Sequence, residues 1–232
     1  MIFFALNIAI IFAGGIGSRC EYSALPKQFI EIDGEPIIVK TVRIFQGHSQ
    51  IDKIYVSVVR SHIDLMRELA ERYQLTKIAG IVEGGETSQD STFNALNLAK
   101  QENPEDSIVL IHDGVRPLLD PEVITKNIEC VEEKGNAVTC TPCVETILIA
   151  ANENKTEKIT QRNRSFSARA PQSFRLKDIY DAHIKIRSMP DRYTGIVDSC
   201  TLLHKLGIQT NIVIGNNNNI KITTKEDLKL LK

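Results

Sequence analysis

The chain has 232 residues, 42% of them hydrophobic and 25% charged, with a formal net charge of -1. That length buries one full α/β core, so a single domain over residues 1–232 is expected and a second one is not required. The balanced charge gives no general attraction for nucleic acid or an anionic membrane, so any anion site must be local.

Residues 1–13 are almost wholly apolar, but no basic segment precedes them and Gly14-Gly15 ends the run far short of a membrane span. The reading is a buried first strand over 8–13 in a cytoplasmic protein, with the residues before Asn7 a ragged extension or a misassigned start. A glycine-rich loop follows, then a helix over 36–45, opened by a proline that suits a first turn. Next come a strand over 53–59, a helix over 62–73 capped by Ser61, a strand over 78–82 and a helix over 91–100. A strand over 107–111 leads to a helix over 121–134 capped by Asp120, then a strand over 137–141. Residues 144–172 break this rhythm. They are polar, and alternation at 146–149 predicts an extended hairpin arm projecting from the domain. A helix over 176–188, a strand over 210–214 and a last helix, with Thr223 and Glu226 as its capping box, complete the chain.

Short β-branched runs separated by amphipathic helices predict an α/β fold of the Rossmann-like type, a mostly parallel sheet with helices on both faces. Ligands of such sheets sit where loops leave the carboxyl ends of the strands. That directs attention to residues 13–28, 83–91 and 112–117.

The loop Ala13-Gly14-Gly15-Ile16-Gly17-Ser18-Arg19 follows the first strand directly. Its glycines let backbone N–H groups approach an anion, and Arg19 adds a charged fork. It is neither a Walker A loop nor a dinucleotide fingerprint. Lys27, behind Pro26, supplies a second cation suited to the charge that builds on a phosphate under attack. Asp113, after a buried strand, suits a polyol hydroxyl; a loop cap or a salt bridge to Arg116 is the alternative. His112 is read as structural, because a phosphate monoester is an anionic nucleophile without a base. Five scattered cysteines, Cys20, Cys130, Cys140, Cys143 and Cys200, are read as free thiols of a reducing compartment. Cys140 and Cys143 have redox spacing, but an extended stretch follows them where activation needs a helix N-terminus.

The ordered set GGIGSR at 14–19, LPKQF at 25–29, Gly84-Gly85 with Ser91, HDGVRP at 112–117, Thr146, Arg162, APQSF at 170–174, Asp198 and NIKITTKEDL at 219–228 resembles the cytidylyltransferases that make CDP-methylerythritol and CDP-ribitol. The resemblance runs from about Asn7 to the C-terminus. It implies CTP and a small polyol phosphate as substrates, Mg2+ bound mainly through the CTP phosphates with no metal site of the protein's own, and a homodimer whose arms cross. By the same resemblance Arg19 and Lys27 stabilise the pentavalent transition state, while Arg162 and Lys221 position the acceptor phosphate. Asp113, Arg116, Thr146 and Asp198 fall at acceptor-binding positions, with Thr146 and Arg162 reaching the neighbouring subunit's site. Ala13, Gly14, Gly15, Gly17, Ser18, Gly85, Glu86 and Ser91 fall where CTP is held.

Ser88, Ala170 and Val197 depart from the family pattern of the methylerythritol enzymes. Gly14, the long spacing from Arg19 to Lys27, and Asp198-Ser199-Cys200 lean towards the ribitol branch. The expected activity is transfer of CMP to D-ribitol 5-phosphate for a surface polymer, with the methylerythritol reaction of isoprenoid synthesis as the alternative. A non-catalytic nucleotide-binding regulator is the reading of another class; retention of all four cations argues against it.

Overall fold

The computed structural model describes residues 5–14 and 26–231. Strand β1 (Asn7–Ala13) is followed, after a 3-10 turn at Lys27–Phe29, by the small ribbon β2 (Glu31–Ile32) and β3 (Glu35–Pro36). Then come α1 (Ile37–Gly47), β4 (Lys53–Val58), α2 (Ile63–Arg72), β5 (Ile78–Glu83), α3 (Ser88–Glu102), β6 (Ile108–Asp113), α4 (Pro121–Lys134) and β7 (Asn136–Pro142). The hairpin β8 (Leu148–Asn152) and β9 (Lys155–Ile159) precedes β10 (Phe166–Arg175), α5 (Leu176–Arg187), α6 (Ser199–Lys205), β11 (Ile212–Ile214) and α7 (Lys225–Leu228).

Among the described residues, seven strands form the central sheet in the order β11-β7-β10-β6-β1-β4-β5. β10 runs antiparallel to both its neighbours, β6 and β7, and the other pairings are parallel. Strand β1 shows why both faces are covered. Its Ala9 and Ile11 pack into one core with Ile38, Phe45, Met66 and Ile124, while Ile8 and Ile10 pack into the other with Leu96, Phe174 and Ile179. Successive side chains of a strand point to opposite faces, so an unbroken apolar run fills two cores at once. Each fully buried Ile contributes roughly 1.5–3 kcal/mol relative to exposure.

Helix α4 follows the sequence reading: Asp120 accepts from the Glu122 N–H at 2.9 Å, and Gly135 ends the helix at φ 84. Elsewhere the ends move. Thr87 caps α3 and accepts from the Asp90 N–H, so the helix begins three residues earlier than expected. Ser61 does not cap α2; its hydroxyl lies 2.9 Å from its neighbour's His62 Nδ1, and a 3-10 turn precedes the helix. Pro36 stands at the cap of α1 and not in its first turn. The capping box of α7 is Thr224 with Asp227, one residue beyond the expected pair.

The largest correction concerns residues 144–172. The hairpin β8–β9 is exposed along its length, but residues from 166 onward return as β10 into the middle of the sheet. Its buried positions include Gln172 and Ser173, whose polarity hid the strand; Ser173 donates to Asn127 Oδ1 at 3.0 Å. Among the described residues no helix is long and apolar enough to cross a membrane.

Candidate active site

Strand β6 is buried at all six positions and ends on Asp113, at the carboxyl edge of the sheet. The chain then turns, so that Arg116 Nε donates to Asp113 Oδ2 at 2.6 Å and Arg116 Nη1 donates to the Asn219 carbonyl at 2.8 Å. The alternative foreseen for Asp113, an ion pair with Arg116, is therefore present. Lys221 reaches the other carboxylate oxygen, Oδ1, at 2.5 Å. It is held there by its neighbour. Ile222 is buried with Ile32, Ile37 and Val115, and its N–H donates to the Val115 carbonyl at 2.9 Å. The Asn219 amide donates to the Ala170 carbonyl, tying the same segment to β10.

Asp113 thus sits between two cations in a low-dielectric setting. Burial alone would raise its pKa, but the charges of Lys221 and Arg116 outweigh it and hold the carboxyl at about 2. His112 points the other way, its ring 5.1 Å from that of Phe45, and burial drops its pKa to about 4. It is a neutral core side chain, in keeping with its structural reading.

The residues expected to hold CTP pack closely against one another. A Cβ on Gly14 would lie 2.3 Å from Ser91 Oγ and 3.3 Å from Gly84 Cα, so β1 and the β5–α3 loop approach as only glycine allows. Ser91 Oγ accepts from the Gly85 N–H at 3.0 Å and donates to the Thr87 carbonyl at 3.0 Å. Glu86 is exposed beside them. Asp90 is clamped from α5 by Arg187, whose Nη1 donates to Asp90 Oδ1 at 2.7 Å while its guanidinium lies 4.3 Å from the Phe93 ring centre. Lys27 opens the 3-10 turn behind Pro26, and the adjacent Gln28, buried, donates from Nε2 to the Ala13 carbonyl at 2.6 Å. Gly15, Gly17, Ser18 and Arg19 lie outside the described residues.

A cavity of about 140 Å³ lies over Asp113; Phe12, Arg116, Lys221 and Asp198 line it with Asp113 itself. Asp198 also caps α6, accepting from the Thr201 N–H and hydroxyl at 2.8 and 2.7 Å, and its second oxygen accepts from Gln172 Nε2 at 3.0 Å. Of the departures from the family pattern, Ala170 and Val197 line this cavity, and Ser88 is exposed in the first turn of α3. Thr146 and Arg162 do not line it; both are exposed on the arm segment. Sequence reasoning missed Gln28, Gln172 and Asn219. Asn219 stood in plain view within the asparagine run 216–219, which reads as a turn. Cys140, in the buried part of β7, has its thiol pushed up to about 11 by burial, with the charges of Cys200 and Asp198 acting the same way, the reverse of activation.

Residues 7–232 match the family model described as 2-C-methyl-D-erythritol 4-phosphate cytidylyltransferase, IspD. The chain is 44% identical over 227 residues to the ribitol-5-phosphate cytidylyltransferase of Streptococcus agalactiae serotype Ia, covering 98% of this chain and 94% of that one. It is 37% identical over 224 residues to the 2-C-methyl-D-erythritol 4-phosphate cytidylyltransferase of Syntrophus aciditrophicus, covering 96% and 93%. The crystal structure of 4-diphosphocytidyl-2C-methyl-D-erythritol synthase from Anaerococcus prevotii superposes with a TM-score of 0.83 at 27% identity, over 97% of this chain and 93% of that one. With the family model matched over residues 7–232 and relatives at 37% and 44% identity covered almost end to end, the chain belongs to the IspD family of cytidylyltransferases.

Proposed function

We propose that the protein transfers CMP from CTP to D-ribitol 5-phosphate, giving CDP-ribitol and pyrophosphate. The observation that carries this is Asp113, a buried carboxylate flanked by Arg116 and Lys221, in a cavity that opens beside the end of β1. Such a constellation suits an acceptor with hydroxyls at one end and a phosphate at the other. Ribitol as the polyol is supported by the names of relatives at 42% and 44% identity.

In this reading an oxygen of the acceptor phosphate attacks the α-phosphorus of CTP. The new P–O bond forms as the bond to the β-phosphate breaks, and pyrophosphate leaves. No general base is needed, which leaves neutral His112 out of the chemistry. Arg19 and Lys27 meet the charge that grows on the α-phosphate oxygens. Lys221 and Arg162 hold the acceptor phosphate, and Asp113, Arg116, Thr146 and Asp198 orient the polyol. The strand end at Ala13 and Gly14, with Gly85, Glu86 and Ser91, grips the nucleotide.

Thr146 and Arg162 serve the neighbouring subunit in a homodimer that exchanges arms. Exposed Val144, Leu148 and Ile159 on the arm support this, since a projecting apolar surface calls for a cover. Mg2+, bound through the CTP phosphates, would supply neutralisation of the triphosphate charge. Asp113 is already committed to two cations, and among the described residues no three His, Cys, Asp or Glu side chains gather to hold a metal.

The second reading, methylerythritol 4-phosphate as acceptor, is favoured by the description of the matching family model and by the 37% relative. Pyrophosphate release from CTP and Mg2+ with each acceptor separates the two. Turnover with ribitol 5-phosphate is expected; turnover with methylerythritol 4-phosphate alone would reverse the assignment. Lys27→Ala should abolish turnover while CTP still binds, and normal turnover in that variant would overturn the role given to the loop.

A further inference from the structure

We infer that Gln89 and Thr92 read the hydroxyl pattern of the acceptor's polyol chain; this deepens the proposed function and rests on it. The two residues stand three apart on α3, hence on one face of the helix, and both line the cavity that holds Asp113 and Lys221. Both are more than nine-tenths buried. Gln89 Oε1 and Thr92 Oγ1 are nonetheless without a hydrogen-bond partner.

Their neighbours in the same wall are different. Gln172 accepts from the Cys200 N–H at 2.8 Å and donates to Asp198, which in turn is filled by Thr201. Those side chains build the wall. Gln89 and Thr92 bring polar atoms to it and leave them unused, beside the apolar Phe12 and Ile111. A buried polar oxygen without a partner is destabilising, and a Val in place of Thr92 would fill the same space without that cost. The arrangement makes sense when a ligand completes it.

The missing partner can be specified. Gln89 Oε1 is an acceptor and requires a donor, which a dianionic phosphate cannot supply and a hydroxyl can. Thr92 Oγ1 both donates and accepts, as does each hydroxyl of a polyol. The phosphate end of the acceptor belongs with Lys221, and the hydroxylated carbon chain, oriented by Asp113 and Arg116, reaches Gln89 and Thr92. A polar site of this kind discriminates against an analogue that lacks the hydroxyl it was built for, because the protein group is then left unpaired.

The test uses the full-length enzyme with CTP and Mg2+, ribitol 5-phosphate and its monodeoxy analogues, comparing wild type with Gln89→Met, Thr92→Val and Thr92→Ser. Ratios of kcat/KM between two acceptors in one preparation do not depend on the fraction of active protein. In the wild type at least one analogue should fall about tenfold or more below ribitol 5-phosphate. In Gln89→Met or Thr92→Val that penalty should collapse towards unity, while Thr92→Ser, which keeps the hydroxyl, retains it. Wild-type penalties that persist in both variants, or a wild type indifferent to every deoxy position, would overturn the assignment of Gln89 and Thr92 alone. A wild type that turns over no polyol phosphate would instead overturn the proposed function beneath it.

Discussion

Lys221 and Asp113, distant in sequence, meet at 2.5 Å between Nζ and Oδ1, and the carboxylate they share with Arg116 is buried while the lysine head remains partly open. This asymmetry separates two roles that substitution can resolve. Asp113→Asn leaves the Arg116 guanidinium buried without its counter-charge, so thermal denaturation should show a loss of about 3–5 kcal/mol. Lys221→Ala should leave the melting temperature within a few degrees of wild type yet lower pyrophosphate release at least about a hundredfold. Equal destabilisation by both would mean that Lys221 belongs to the fold.

The approach of Gly14 to Ser91 is too close for any other residue. Gly14→Ala must push the β1 end away from the β5–α3 loop, and overpacking of this size costs roughly 1–3 kcal/mol. The expected result is a CTP KM raised about tenfold with the acceptor KM unchanged, read from initial rates at saturating second substrate.

Arg187 carries the same loop from behind, through Asp90 in the first turn of α3. Arg187→Ala should weaken CTP binding by calorimetry severalfold, and Arg187→Lys should recover little, since a point charge reproduces neither the guanidinium's bond nor its stacking on Phe93. Stability should fall by only about 1 kcal/mol, as the pair is partly solvated.

Arm exchange makes a quantitative claim. Arg162→Ala and Lys27→Ala, each inactive alone, should recover about a quarter of wild-type activity when co-expressed, because half the dimers are mixed and one site in each is intact. No recovery in verified mixed dimers would place Arg162 in its own subunit's site.

Acid should destabilise the protein well before its carboxylates titrate. Burial holds His112 at about 4 and His183 at about 3, both below the ordinary 6.5. The unfolded chain therefore takes up protons between about pH 6.5 and 4 that the folded one refuses, and stability falls as pH falls through that window. His112 alone accounts for roughly 3 kcal/mol. Asp113 has the opposite kind of shift, its stabilising contribution being present above about pH 4 and lost only as pH drops towards 2. Urea denaturation at pH 7.5, 6 and 4.5 should show a steady decline, shallower in His183→Gln.

The residues of the Asp113 site were legible because each stands in a short, chemically distinctive string: HDGVRP for Asp113 and Arg116, and the extended 219–222 stretch for Lys221. The parallel sheet was legible because buried strands are apolar on both faces. β10 was not, because its core positions carry Gln172 and Ser173, satisfied by partners far away in sequence. Helix α6 escaped because seven residues are too few to show a period. Thr92 reads as an ordinary helix residue and Gln89 as part of the loop over 83–91, and only their placement against the cavity makes the pair conspicuous.

The rooting of the arm between β7 and β10 has a bearing on how this chain can vary in length. Its tip, the turn between Asn152 and Lys155, joins two exposed strands that contact little else, so residues added there lengthen the hairpin and disturb nothing in the sheet. At the root the situation reverses. Phe166, Ser167 and Ala168 are already in register with Pro142, Thr141 and Cys140, and Gln172 pairs with Val138. The register shifts between Ala168 and Gln172, and a single residue inserted or deleted beyond that point would exchange the two faces of the strand, moving Gln172 and Phe174 into the opposite core and emptying one wall of the cavity. Related chains can therefore differ freely in the reach of the arm while the count of residues from its base to the cavity stays fixed.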